Sequence, residues 1–213
     1  MHNGGVISLT NLAVTEGDVT LLPATSIAVP RGAALIVRGA NGAGKSTLLR
    51  VLAGLTKPSS GQASIGGAAI AAKNATFRAR VAAMIGLPPF APDLTMIDHL
   101  ALVAVTWWAD RKVAMSKARD ILGDLGLDAL GQRFAHELSS GQLQLFALAI
   151  ALVRPADVVL LDEPEQRLDP DRLARVIAVL KERQRTGTTL VIATHSPALM
   201  EAFAGTELVL EAA

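Results

Sequence analysis

The sequence predicts an α/β fold with a mostly parallel sheet at its core, an antiparallel β subdomain at the N-terminus and an inserted α-helical subdomain. Three observations predict it. Short apolar runs at residues 33–37, 157–161 and 188–193 read as buried strands. Helical patterns at 46–54, 141–152 and 169–185 alternate with them, as in a parallel sheet wrapped on both faces. Between the first two runs, the proline-rich loop 88–92 gives way to helical periodicity over 95–110 and again over 113–125, which reads as an insertion.

The remaining elements follow in order. Residues 6–14 and 26–29 read as strands flanking a turn at Glu16-Gly17-Asp18. The turn Lys57-Pro58-Ser59-Ser60-Gly61 leads to a short strand near 62–65, and the chain closes with a short helix over 197–203 and a strand over 207–210. A chain of 213 residues with 51% apolar side chains has ample core. The net charge of +1, without a lysine or arginine cluster, gives no footprint for nucleic acid. Absence of cysteine excludes disulfides and thiolate metal sites and fits a reducing, cytoplasmic setting. The most lipid-like run, 100–109, is far short of the ~20 residues of a membrane span.

The strand at 33–37 runs directly into Gly39, Ala40, Asn41, Gly42, Ala43, Gly44, Lys45, Ser46 and Thr47, which fit the phosphate-binding pattern G-x-x-x-x-G-K-[ST] in full. Strand, glycine loop and helix are the context this pattern needs. Glycines let successive N–H groups curl toward phosphate oxygens, and the helix N-terminus adds its positive end. In this geometry Lys45 reaches the β and γ phosphates and the Ser46 hydroxyl ligates Mg²⁺. The fold is thus an α/β P-loop NTPase and the ligand a nucleoside triphosphate.

Two further stretches carry chemistry. The apolar strand at 157–161 ends in Asp162 and Glu163, placing two carboxylates at the carboxyl edge of a parallel sheet, where ligands bind. Asp162 there holds Mg²⁺ through its water shell, and Glu163 orients and polarises the attacking water. Leu138-Ser139-Ser140-Gly141-Gln142 reads as a helix N-cap, with Ser139 or Ser140 capping, and a capped helix N-terminus is also a phosphate site.

Together these residues resemble the ATP-binding cassette (ABC) family, over nearly the whole chain. Residues 39–47 resemble Walker A, 158–163 Walker B with its catalytic glutamate, and 138–142 the LSGGQ signature. Leu168-Asp169 resembles the D-loop, and His195 the switch histidine that senses the γ-phosphate. The resemblance implies one domain over 1–213, with an ATPase core of 1–87 and 141–213 and a helical subdomain of 88–140. It implies catalytic roles for Glu163, His195 and Lys45, and nucleotide contacts from Gly39, Asn41, Gly42, Ala43, Gly44, Lys45, Ser46 and Thr47. Gln142 and Asp169 are further nucleotide contacts, Ser139 and Gly141 close the site from the facing copy, and Ser46 and Asp162 hold the metal. It further implies an ATP- and Mg²⁺-dependent ATPase that sandwiches two nucleotides in a head-to-tail homodimer or heterodimer. Such subunits drive a separate membrane-spanning permease of unspecified substrate from the inner face of the cell membrane. A regulatory or soluble ABC protein with weak or uncoupled hydrolysis is the alternative.

The sequence departs from the family pattern in informative places. The Q-loop glutamine, a Mg²⁺ ligand and permease-coupling residue, is expected near 86–90, yet no glutamine lies between Gln62 and Gln132. No tyrosine occurs and no Phe or Trp precedes Phe77, which removes the aromatic that commonly stacks on adenine. Ser140 stands where the signature usually has glycine. Trp107 and Trp108, adjacent on the expected helix, point to different faces, which leaves two readings: both simply pack, or one is core and the other meets a permease.

Overall fold

The computed structural model describes residues 6–211. In chain order the elements are β1 (Ile7–Glu16), β2 (Val19–Val29), β3 (Ala34–Arg38), α1 (Lys45–Leu52), β4 (Ser60–Ile65), β5 (Ala68–Ala69), α2 (Ala75–Arg80) and β6 (Val81–Met84). Then come α3 (Met96–Ala104), α4 (Arg111–Asp124), α5 (Ser140–Leu152), β7 (Val158–Asp162), α6 (Pro170–Arg185), β8 (Thr189–Ala193), α7 (Pro197–Ala202) and β9 (Thr206–Val209). They form two compact units. The first comprises residues 6–85, 156–163 and 183–211, and the second 86–155 and 164–182.

The first unit holds both sheets. Its five-stranded sheet has the order β6-β7-β8-β3-β9, and every pairing is parallel. The central strands β3, β7 and β8 are apolar on both faces, as strands covered on both sides must be. The second sheet, β2-β1-β4-β5, is antiparallel throughout. Leu9, Leu12, Val14 and Leu22 of this sheet share one core with Leu48, Leu49 and Leu52 of α1 and with Leu35, Leu160 and Val191 of the parallel sheet. The helix behind the glycine loop is thus fixed by apolar burial against two sheets. Most helical stability comes from such packing, since eight residues are too few to hold a helix alone.

Several boundaries differ from those read in the sequence. β2 runs the full length from Val19 to Val29 although it contains Pro23. It is an edge strand, where a residue without an N–H is tolerated. The helix expected over 95–110 ends at Ala104. The N–H groups of Trp107 and Trp108 both return to the Ala104 carbonyl, and the Thr106 hydroxyl donates to Val103 O (2.7 Å). Val105, Thr106 and the two tryptophans are poor helix formers, so the helix closes in a turn there. Both rings are half-buried, and the Arg154 guanidinium lies 4.3 Å from the Trp107 ring centre. β6 and α2 have no counterpart in the sequence reading.

The second unit is helical. Thr95 starts α3 with a capping box: its hydroxyl accepts from Asp98 N (3.3 Å) while Asp98 Oδ2 accepts from Thr95 N (3.2 Å). Asp110 caps α4 through Lys112 N (2.7 Å). Residues 141–155 and 164–182, read from the sequence with the core, pack within this unit, α5 lying against α3 and α4. Among the described residues no helix is long and apolar enough to cross a membrane.

Candidate functional site

Register brings the site together. In the parallel sheet Ala193 lies between Val37 and Asp162, so β3, β8 and β7 end in one row. The residues that follow these ends are therefore neighbours at one carboxyl edge: Gly39 and its loop, Thr194-His195, and Glu163. Three strands far apart in sequence supply the three sets of groups.

The loop curls as its glycines allow. Gly44 has φ +97°, and a Cβ there would stand 2.5 Å from Leu21 O of β2, so no side chain fits. Gly44 also caps α1 without a side-chain hydrogen bond, leaving first-turn N–H groups of the helix for a ligand. Lys45 is buried, 6% exposed, yet its ammonium is fully bonded. It donates to Gly39 O (2.8 Å) and Ala40 O (3.2 Å) and lies 2.9 Å from His195 Nε2. Asn41 and Gly42 are exposed at the tip, Ala43 is buried, and Thr47 is half-buried.

Burial pushes the Asp162 pKa up from its ordinary value; the Ser46 hydroxyl beside the carboxylate resists this, the neighbouring Glu163 charge reinforces it, and Lys45 opposes it. A half-desolvated carboxylate beside a hydroxyl is an oxygen pair suited to a hard divalent cation. Glu163 follows with a left-handed backbone, φ +47°, its N–H held by Ala193 O (2.8 Å). Its Oε1 stands 3.7 Å from His195 Nε2. No group of three or more His, Cys, Asp or Glu side chains among the described residues could hold a metal without help. A cation held by Ser46 and Asp162 therefore needs further oxygens from water and ligand.

A cavity of about 510 Å³ lies beside this row, lined by Arg38, Gly39, Ala40, Thr194, His195, Met200 and Val209. Sequence reading missed Arg38, Thr194 and Met200, which only the sheet order brings there. It also missed the Gly39 and Ala40 carbonyls, because a backbone acceptor leaves no mark in residue identity. A larger hollow of about 890 Å³ at the far end of α1, between Val51, Gly54, Lys57 and Ile70, contains none of the residues above.

The other candidate residues belong to the second unit. Ser139 caps α5 reciprocally: its hydroxyl accepts from Gln142 N (3.3 Å), and the Gln142 amide oxygen accepts from Ser139 N (2.8 Å). Ser139 and Ser140 are exposed, while Gly141 is buried. A Cβ on Gly141 would come within 2.6 Å of Arg167 O, so glycine lets the loop before α6 approach. Asp169 accepts from Arg172 N (2.9 Å) and pairs with the Arg172 guanidinium (3.4 Å), capping α6. Where a Q-loop glutamine was expected, the chain is held by aromatic packing. Phe90 stacks on Phe146 (5.1 Å), and Ala91 N donates to His99 Nε2 (3.0 Å).

Residues 22–166 match the family model described as ABC transporter. The chain belongs to the ABC transporter family. The Fe(3+) ions import ATP-binding protein FbpC of Rhizobium etli is 36% identical to this cassette over 192 residues, covering 90% of the chain. The cassette spans only 54% of that relative's length. It is also similar to the lipoprotein-releasing system ATP-binding protein LolD of Chromohalobacter salexigens, 32% identical over 188 residues, 85% of the chain and 79% of the relative. Among solved structures, the ATP-binding subunit of an ABC transporter superposes with a TM-score of 0.86 at 25% identity, covering 96% of this chain and 85% of that one. The α/β P-loop architecture with antiparallel and helical additions is that of an ABC cassette.

Proposed function

We propose that this cassette is the ATP-binding subunit of an ABC transporter, hydrolysing ATP to drive a separate membrane permease of unspecified substrate. The observation that carries the reading is the row of Lys45, Ser46, Asp162, Glu163 and His195 at one sheet edge. Loop N–H groups and Lys45 bind the phosphates. Ser46 and Asp162 fit Mg²⁺, which when bound offsets charge on the β and γ phosphates. Glu163 orients a water and takes its proton as the water oxygen bonds the γ phosphorus and the bond to the ADP oxygen breaks. His195 contacts the γ-phosphate. Ser139 and Gly141 of a second copy or sister subunit close the site, while Gln142 and Asp169 hold those closing elements in shape. Both units act as one domain, and the permease keeps the cassette on the inner face of the cell membrane.

The second reading is a cassette that binds ATP but regulates rather than drives. The loop at 86–91 favours it, since its Phe90 and Ala91 are tied to α5 and α3 and no glutamine is available. ATP turnover by wild type and Glu163→Gln, each alone and with a co-expressed permease, separates the two. Glu163-dependent turnover supports the motor; its absence in both settings supports the regulator.

A further inference from the structure

The antiparallel sheet of the first unit has a polar face. Alternation along β1 and β4 turns Ile7, Leu9 and Ile65 into the core and their neighbours to the other side. Register then sets Ser8 opposite Ser64 and Thr10 opposite Gln62. Such a face is ordinarily just wet. Here the segment after β5, residues 70–73, joins that face and the end of α1 in lining the hollow of about 890 Å³. Gly54, in the turn after α1, has φ +75°, and a Cβ there would stand 2.9 Å from the Ala72 Cβ. Glycine thus lets the segment seat against the helix end. The Arg78 guanidinium donates to Ala72 O (3.0 Å) and Asn74 N to Ala71 O (2.8 Å), so the segment is held and the hollow pre-formed.

Its size is that of a small-molecule site, about 300–1,000 Å³. Its chemistry is of two kinds. Val51, Ala63, Ile70 and Ala72 supply apolar surface. Thr10, Gln62 and Ser64 supply hydroxyls and an amide, and none of these side chains bonds to another described residue. Lys57 and Lys73 carry the charge. Among the described residues no carboxylate lines the hollow, and neither lysine makes an ion pair. The C-terminal carbonyls of α1, which would repel an anion, are already taken. Arg50 O accepts from Leu55 N and Thr56 N, and Val51 O from Gly54 N. We infer that this hollow binds a small organic anion with an apolar body. The two ammonium groups hold the charge, the aliphatic wall covers the body, and the hydroxyls and amide meet its polar edge. A bare inorganic anion would leave that wall wet, and a neutral body would gain nothing from the lysines. The site stands apart from the row of Lys45, Glu163 and His195 and does not rest on the nucleotide reading.

Naphthyl phosphate is a suitable probe, because inorganic phosphate and naphthol are its two halves. Calorimetry on the full chain is expected to give one-to-one binding of naphthyl phosphate, tighter than that of either half. Replacing both lysines, Lys57→Gln with Lys73→Gln, should weaken it about two- to thirtyfold, the range of two exposed ion pairs. Raising the salt concentration should weaken it in the same direction. Ala69→Trp, on the exposed strand β5, puts an indole into the hollow and should abolish binding without touching a charge. Lys181→Gln removes an exposed lysine of α6 outside the hollow and should bind as wild type. No binding of naphthyl phosphate overturns the inference. Affinity no better than that of inorganic phosphate or of naphthol overturns the class of ligand. Indifference to either hollow variant, as for a probe seated on the glycine loop, overturns the site.

Discussion

Asp162 sits where burial and the Glu163 charge both work against ionisation. Its folded-state pKa is raised, so the folded chain holds that proton more tightly than the unfolded chain does. Stability is therefore lost as pH rises from the unfolded pKa through the folded one, and the cost is fully present above both. Asp162→Asn, which keeps an acceptor for Ser46, is expected to raise Tm at neutral pH without nucleotide. The gain should vanish as pH falls below the unfolded value of ~3.9, where the wild-type carboxyl is also neutral. A gain that persists at low pH would place the effect in packing instead. Activity should move the opposite way. Asp162→Asn should lose Mg²⁺-dependent ATP binding, and Glu163→Gln should keep binding while kcat falls by about 10²–10⁴, as for loss of a general base. Rapid-quench turnover beside equilibrium binding checks both.

At the scale of elements, the signature helix depends on small local devices. Ser139→Ala removes the hydroxyl half of the capping box and should cost about 1 kcal/mol, read as ~2–4 °C in Tm for a chain of this size. Ser139→Asp, which caps equally well, should restore Tm while placing a charge where a partner's phosphate is proposed to sit, so turnover stays low. Gly141→Ala should be more damaging than helix propensity allows, because its new methyl meets the Arg167 carbonyl. The N-cap at Ser139 or Ser140 was legible in the sequence, since caps are defined by residue identity at fixed spacing, but the approach of Arg167 O to Gly141 was not. What escaped was set by neighbours. Val81-Ala82-Ala83-Met84 has weak strand propensity and becomes β6 only by pairing with β7. Pro23 reads as a strand breaker until the sheet order makes β2 an edge. The run through Trp108 looks helical by apolar spacing, whereas Thr106 and the Ala104 carbonyl end it.

At the scale of the molecule, the row of Lys45, Glu163 and His195 and the helix α5 fall in different compact units. The P-loop could be read directly, but the assembly of Gly39, Glu163 and His195 required the strand order, which no local pattern encodes. With Glu163→Gln, ATP should trap a stable dimer that ADP does not, seen as a doubling of mass by light scattering. A strictly monomeric variant with bound ATP would remove the sandwich from the proposed mechanism. The left-handed backbone at Glu163 bears on the history of such a chain. An L-residue there forfeits about 1–2 kcal/mol that glycine does not. Glu163→Gly should therefore be more stable than Glu163→Ala, reversing the order found in ordinary helix and strand positions. A lineage no longer selected for turnover would be free to relax at this position early, leaving a glycine as the trace of an abandoned chemistry.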